Sequence, residues 1–194
     1  MYHKILRDAS FYSTLLQIDK DIAAAVRASG CPCGGRLHSA RYPRKPRGGP
    51  DGFGPEHDRR LSFCCAEDGC RQRVTPPSVR FLGRRVYFGV VVLLLTVMCQ
   101  GVTERRAAAL RHELGVSRRT LERWRGWWRE AFVASAFWRG ARGHLVPEPE
   151  VEALPGSLLE RFGATLSGVT ATLRFLSPLT TTWCAKGSSI VRGQ

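Results

Sequence analysis

Two groups of residues have the types and spacing to do chemistry. The first is a set of thiols: Cys31 and Cys33 in a Cys-Pro-Cys-Gly-Gly turn, Cys64 and Cys65 side by side, and Cys70 after Ala-Glu-Asp-Gly. Four thiolates on two turns are a usual ligand set for a closed, structural Zn²⁺ site. The expected ligands are Cys31, Cys33, Cys65 and Cys70. Either Cys64 or Cys65 could partner Cys70; Cys65 is favoured because its four-residue spacer, ending in Asp-Gly, closes a neater loop. The first knuckle is Cys-x-Cys, one residue shorter than the common Cys-x-x-Cys. A catalytic zinc is not expected, because no His-rich triad leaves an open position and no nearby Glu is set up as a base. His38 and His57 are possible substitute ligands, but His38 falls in mid-strand and His57 in a loop, and each reads more readily as a surface histidine.

The second group is basic. Residues 104–114 are strong helix formers, Gly115 can turn at positive φ, and Ser117 can cap a second helix running to Phe132. Leu121, Trp124, Trp128 and Phe132 share one stripe of that helix, and Arg118, Arg119, Arg123 and Arg125 fall on the other face. A helix, a Gly-Val-Ser turn and a second helix with a basic first turn make a helix-turn-helix pattern, whose second helix enters the DNA major groove. One mark departs from it: Arg111 stands four places before the turn glycine, where such units usually keep a small residue. The expected DNA contacts are Ser117, Arg118, Arg119, Thr120 and Arg123, joined by Arg71, Arg73, Arg84 and Arg85 from an acid-free run. Arg80 in that run, and Arg44, Lys45, Arg47, Arg59 and Arg60 before it, are further candidates for backbone phosphates.

The elements that must position these groups read as a mainly α fold with a small β zinc-ribbon hairpin and a helical helix-turn-helix domain. Residues 1–30 hold an amphipathic helix over 10–28, with Leu15, Ile18, Ile22 and Val26 on one face. Its expected role is packing or dimerisation. Residues 31–85 form the zinc-ribbon-like module with its basic flank. Strands over 36–42 and 59–65 are separated by a Pro/Gly-rich loop. Residues 86–143 form the helical domain, in which the apolar run 86–99 is expected as a buried helix beneath the helix-turn-helix. Trp124 and Trp128 are expected in its core, with Trp127 at the edge. Residues 144–194 read as an acidic Pro-containing linker, a short helix capped by Ser157, a further amphipathic segment, and a Thr/Ser/Gly-rich tail expected to be disordered.

Charge points to the partner. The 194 residues carry a formal net charge of +14, and residues 31–143 hold 22 Lys/Arg against nine Asp/Glu. A positive field that coincides with a groove-reading pattern suits double-stranded DNA, because phosphate contacts release counterions. The apolar run is too short to span a bilayer, so no membrane partner is expected. Clustered thiols fit a reducing cytoplasm, where a DNA binder is nucleoid-associated. A transposase-type catalytic core needs three carboxylates on a sheet-bearing domain. After the helix-turn-helix only Glu130, Glu148, Glu150, Glu152 and Glu160 remain, three of them in the Pro-rich stretch, so the chain does not read as an enzyme.

The runs CPCGGRLHSARYPRKPRGGP, FCCAEDGCRQRVTPPSVRFLGRR and LGVSRRTLERWRGWW together resemble small bacterial proteins encoded with mobile elements, near transposase genes. The resemblance covers about residues 8–178. It implies a zinc-ribbon-like knuckle with a helix-turn-helix, and an accessory or DNA-recognition role in transposition. Two other readings stay open: an interaction module that docks a transposase or forms a homodimer, and a helix-turn-helix transcriptional repressor.

Overall fold

The computed structural model describes residues 1–83 and 85–181. After a short helix α1 (Tyr2–Arg7), the longest element is α2 (Ala9–Ser29). The Asp8 carboxylate starts α2 by accepting from the N–H groups of Ser10 and Phe11, and Gly30 ends it at φ +71°. The expected apolar stripe is there: Leu15, Ile18 and Val26 are buried and Ile22 half-buried. Two cores share this one helix. Its first half, with Phe11, Tyr12, Leu15 and Ile18, joins the helices that follow. Its last turns, with Ala23 and Val26, cover the hairpin residues Leu37, Leu61, Phe63 and Val74.

The hairpin module holds β1 (Leu37–Ser39), β2 (Tyr42–Pro43), β3 (Arg59–Arg60), β4 (Phe63–Cys65) and β5 (Arg73–Val74). One sheet has the order β1-β4-β5, antiparallel, with Leu37 opposite Cys65 and Phe63 opposite Val74. The other pairs β2 with β3. The two long strands expected over 36–42 and 59–65 are therefore each interrupted. At the second interruption Arg60, Leu61, Ser62 and Phe63 are all buried, so this segment is covered on both faces.

The helical part is built on α3 (Gly89–Met98). Val90 to Leu95 have no exposed surface, as expected for a helix apolar on every side and covered on every side. No helix among the described residues is long and apolar enough to cross a membrane. Over α3 lie α4 (Glu104–Glu113) and α5 (Arg118–Trp127). Helix α5 continues as a π-helical turn, Trp128–Phe132, rather than as the single α-helix expected to Phe132. The shorter α6 (Ala136–Ala141), α7 (Gly156–Phe162) and α8 (Leu166–Leu176) complete the set.

The stretch read as a linker is held against this core. Leu154 is buried, and its carbonyl accepts from Gln100 Nε2 at 2.7 Å. Leu158, Leu159, Val169, Leu173 and Leu176 join the same apolar cluster as α3. Ser157 does not cap α7. Its hydroxyl donates to the Glu150 carbonyl at 2.6 Å, and Pro155 stands at the cap position without a side-chain bond. The tail expected to be disordered from Thr180 starts out ordered, with Thr180 accepting from Arg60 and from Ser78 N, and from 182 onward it lies outside the described residues, as does Cys184.

A buried polar seam joins the two cores. Asp19, midway along α2, accepts from Ser78 Oγ (2.5 Å), Val79 N (2.7 Å) and Arg80 Nε (2.8 Å). The Arg80 guanidinium also donates to the carbonyls of His57 (3.0 Å) and Arg59 (2.9 Å). Arg60 donates to the carbonyls of Pro76 and Thr180. Arg80 and Arg60, expected at phosphates, are thus interior residues, 0% and 3% exposed. His57, expected at the surface, is buried too, with its ring stacked on Phe53 at 4.3 Å.

Candidate metal centre and basic helix face

Four thiols meet at one point. The sulfurs of Cys31, Cys33, Cys65 and Cys70 all lie within 4.8 Å of one another. The pairs Cys31–Cys70 and Cys33–Cys65 stand 3.7 and 3.5 Å apart. A tetrahedral ion about 2.3 Å from each thiolate separates the sulfurs by about 3.8 Å. The cluster therefore has the size and donor chemistry to hold a metal ion. Cys64 is not among them: in β4 it points to the face opposite Cys65, and its Sγ donates to the Arg71 carbonyl at 3.4 Å.

The shortened knuckle reaches this geometry through its glycines. Gly34, at φ +91°, donates to the Cys31 carbonyl at 2.8 Å, and Cys31 N donates back to the Gly35 carbonyl at 3.0 Å. Gly35 N then donates to the Cys33 sulfur at 3.5 Å. A Cβ on Gly35 would lie 2.5 Å from Glu67 Cγ and 2.8 Å from Cys65 Sγ, so only glycine fits there. The opposite loop is tied by Cys70 N and Arg71 N, both donating to the Glu67 carbonyl at 3.0 Å. The Gly35 N–H, helped by the neighbouring sulfurs, lowers the Cys33 pKa to about 7. The Glu67 N–H favours the Cys65 thiolate too, but burial and the other thiols outweigh it and push that pKa up to about 12. Crowded thiols of this kind give up their protons together most readily to a cation placed between them.

The second site is the α4–α5 pair. Gly115 turns at φ +61°, its carbonyl accepts from the Tyr87 hydroxyl at 2.8 Å, and Val116 is buried. Ser117 caps α5, its Oγ accepting from Thr120 N at 3.2 Å. Leu121, Trp124, Trp128 and Phe132 are all buried, which turns Arg118, Arg119 and Arg123 outward. Arg118 is paired with Glu122 at 2.8 Å, and Arg123 donates to Thr120 Oγ1 at 3.3 Å. Arg125, expected on the same outward face, instead turns back to the Cys99 carbonyl. Arg111, in the place of the small residue, folds along its own helix, donating to the Ala107 carbonyl and pairing with Glu104. The small buried residue of this helix is Ala107, one turn earlier and 2% exposed.

The flanking arginines divide. Arg85 lies beside α5, its guanidinium over the Trp127 ring at 3.9 Å. Arg71 pairs with Asp68, and Arg73 lies over Tyr42 and donates to the Ala40 carbonyl at 3.2 Å, so both belong to the hairpin surface. Arg84 lies outside the described residues. Arg44 positions the turn before Arg85, donating to the carbonyls of Gly83 (3.2 Å) and Arg85 (2.9 Å). Nothing in the sequence marks Arg44, Arg60 or Arg80 as different from their exposed neighbours. Burial of an arginine depends on carbonyls and an acid brought in from distant segments.

Compared with models of protein families, with curated proteins and with solved structures, the chain matches none.

Proposed function

We propose that this protein binds double-stranded DNA, with α5 as the recognition helix of a helix-turn-helix and a structural zinc ion on Cys31, Cys33, Cys65 and Cys70. The observation that carries the reading is the outward basic face of α5, set against a stripe that is wholly buried. Arg119 is free to approach bases, the exposed Arg123 would meet a base or a phosphate, and Arg118 and Ser117 sit at the same end of the helix. Zinc is the ion best matched to four thiolates in a tetrahedron, and it would tie together a hairpin with little apolar core of its own. Arg71, Arg73 and the exposed Lys45, Arg47 and Arg59 would then meet neighbouring backbone phosphates. The resemblance of the cysteine and helix-turn-helix runs to mobile-element proteins makes transposon DNA the target, with a transposase as a further partner.

One observation favours this over a docking module. The apolar faces of α2 and α8, which a module would use to hold a partner, are turned into the core. The test is selection of bound fragments from random and flanking DNA at about 150 mM salt, where nonspecific phosphate binding is weakened. One enriched motif is expected, and Arg119→Ala should cost about 1–3 kcal/mol on that motif alone. Salt-sensitive binding with no enrichment would overturn the recognition helix.

A further inference from the structure

Along the flank of α5 runs a cleft of about 420 Å³. Arg85, Val86 and Tyr87 line one wall; Thr120, Arg123 and Trp127 line the other. The walls are fixed to each other. Tyr87 donates to the carbonyl of the turn residue Gly115, and its ring meets Trp124 edge-on at 5.2 Å. Arg44 holds the Gly83 and Arg85 carbonyls from behind. The cleft is therefore preformed, with its cationic groups already oriented.

Its charge is one-sided. Two guanidiniums line it, and no described lining residue is acidic. Arg80 has Asp19 and Arg111 has Glu104, whereas the buried Arg60 is held by carbonyls. Arg85 has the Trp127 ring and the Leu82 carbonyl, at 3.3 Å, but no carboxylate bond among the described residues. Burial, and after it the charge of Arg123, push the Arg85 pKa down to about 10, so it remains a cation at neutral pH under unfavourable conditions. A partly desolvated cation next to a second one, here the exposed Arg123, is stabilised by an anion between them. Val86, 56% exposed at the rim, offers apolar surface beside that anion.

We propose that this cleft is a phosphate clamp, in which Arg85 and Arg123 close on one backbone phosphate of the DNA strand bordering the groove that receives α5. The proposal rests on the reading of α5 as the recognition helix. The planar fork of Arg85, held flat on Trp127, suits two non-bridging oxygens, and the Thr120 hydroxyl lies at the same wall. The clamp would fix how deep and at what angle α5 enters, while carrying no sequence preference itself.

The test uses the full chain and a duplex carrying its selected motif, titrated across a range of salt concentrations. Arg85→Gln and the outward-facing Arg123→Gln are each expected to weaken binding about tenfold on the motif and on unrelated DNA alike, and to lower the salt slope by about 1. The intact protein is also titrated against duplexes in which single phosphates are replaced by neutral methylphosphonates. One position should weaken the wild type, a readout that does not depend on how any variant folds, and should have no further effect on Arg85→Gln. Wild-type affinity and slope in both variants, with Arg119→Ala still losing the motif, would overturn the clamp and leave the recognition helix standing. Failure of the wild type to bind any duplex would overturn both. Displacement of the duplex by low concentrations of ATP, lost in Arg85→Gln, would reassign the cleft to a free nucleoside phosphate.

Discussion

Among the described residues, thirty buried apolar side chains join the helices into one cluster, whereas eight, two of them the thiols of Cys31 and Cys65, lie beneath the hairpins. The same helix, α2, serves both. In the helical part, Val90 to Leu95 and the rings of Trp128, Phe132 and Trp138 have no exposed surface, and hydrophobic burial is sufficient to hold the elements. In the hairpin part the strands are two or three residues long, and the loops are held by glycines and by carbonyls such as Glu67 O. Such a unit cannot offset its conformational entropy by burial, and four converging thiols are the means by which a metal ion would make up the difference. Two stabilities of different origin should therefore be separable by experiment.

The largest effect should come from chelation. Structural zinc in small modules is worth about 10–16 kcal/mol of apparent binding energy. Removing metal with a chelator should abolish amide-exchange protection over residues 37–65 and leave α3 protected. Loss of protection in both at once would break the comparison. Trp128→Ala should act in the opposite sense, costing about 3–5 kcal/mol in global unfolding by denaturant. Metal content per chain, measured on the folded protein, should stay unchanged.

Asp19→Asn addresses the seam. It leaves Arg80, which has no exposed surface, without its counter-charge, and about 3–5 kcal/mol should be lost. Both regions should weaken together, because Asp19 is the point where α2, the 78–80 segment and the hairpin loops meet. A loss confined to one region would show that the seam does not couple them. Ser117→Ala should cost about 1 kcal/mol by uncapping α5, visible as a lower melting temperature with metal affinity intact. The smallest change is Gly126→Ala, where an added Cβ meets nothing and the helix should gain about 0.5–1 kcal/mol. If that more stable variant binds the selected DNA motif less well, the outward face of α5 is the contact surface.

Much of this architecture was legible from residue type and spacing. The α2 stripe, the all-apolar α3 and the Leu121–Trp124–Trp128–Phe132 stripe depend on local periodicity, which a linear reading captures. Gly115 and Ser117 declared the turn and the cap because those positions require a positive φ and a side-chain acceptor, and both requirements are local. The choice of Cys65 over Cys64 followed from loop closure, and β4 settles it by sending adjacent side chains to opposite faces.

What tertiary structure alone decided concerns charge. Arginines 44, 59, 60, 80 and 85 look alike in the sequence, yet one is exposed, two are buried and two line or support the cleft beside α5. The difference lies in which carbonyls, rings and acids the fold brings to each guanidinium. Those partners come from segments as distant as Asp19 and Thr180. The same holds for the 146–155 stretch, whose prolines and glutamates read as an acidic linker. Leu154 and the Gln100 amide reaching its carbonyl draw that stretch onto the core, and neither contact has a local signature. Periodicity and spacing are properties of the chain, but the environment of a charge belongs to the assembled fold.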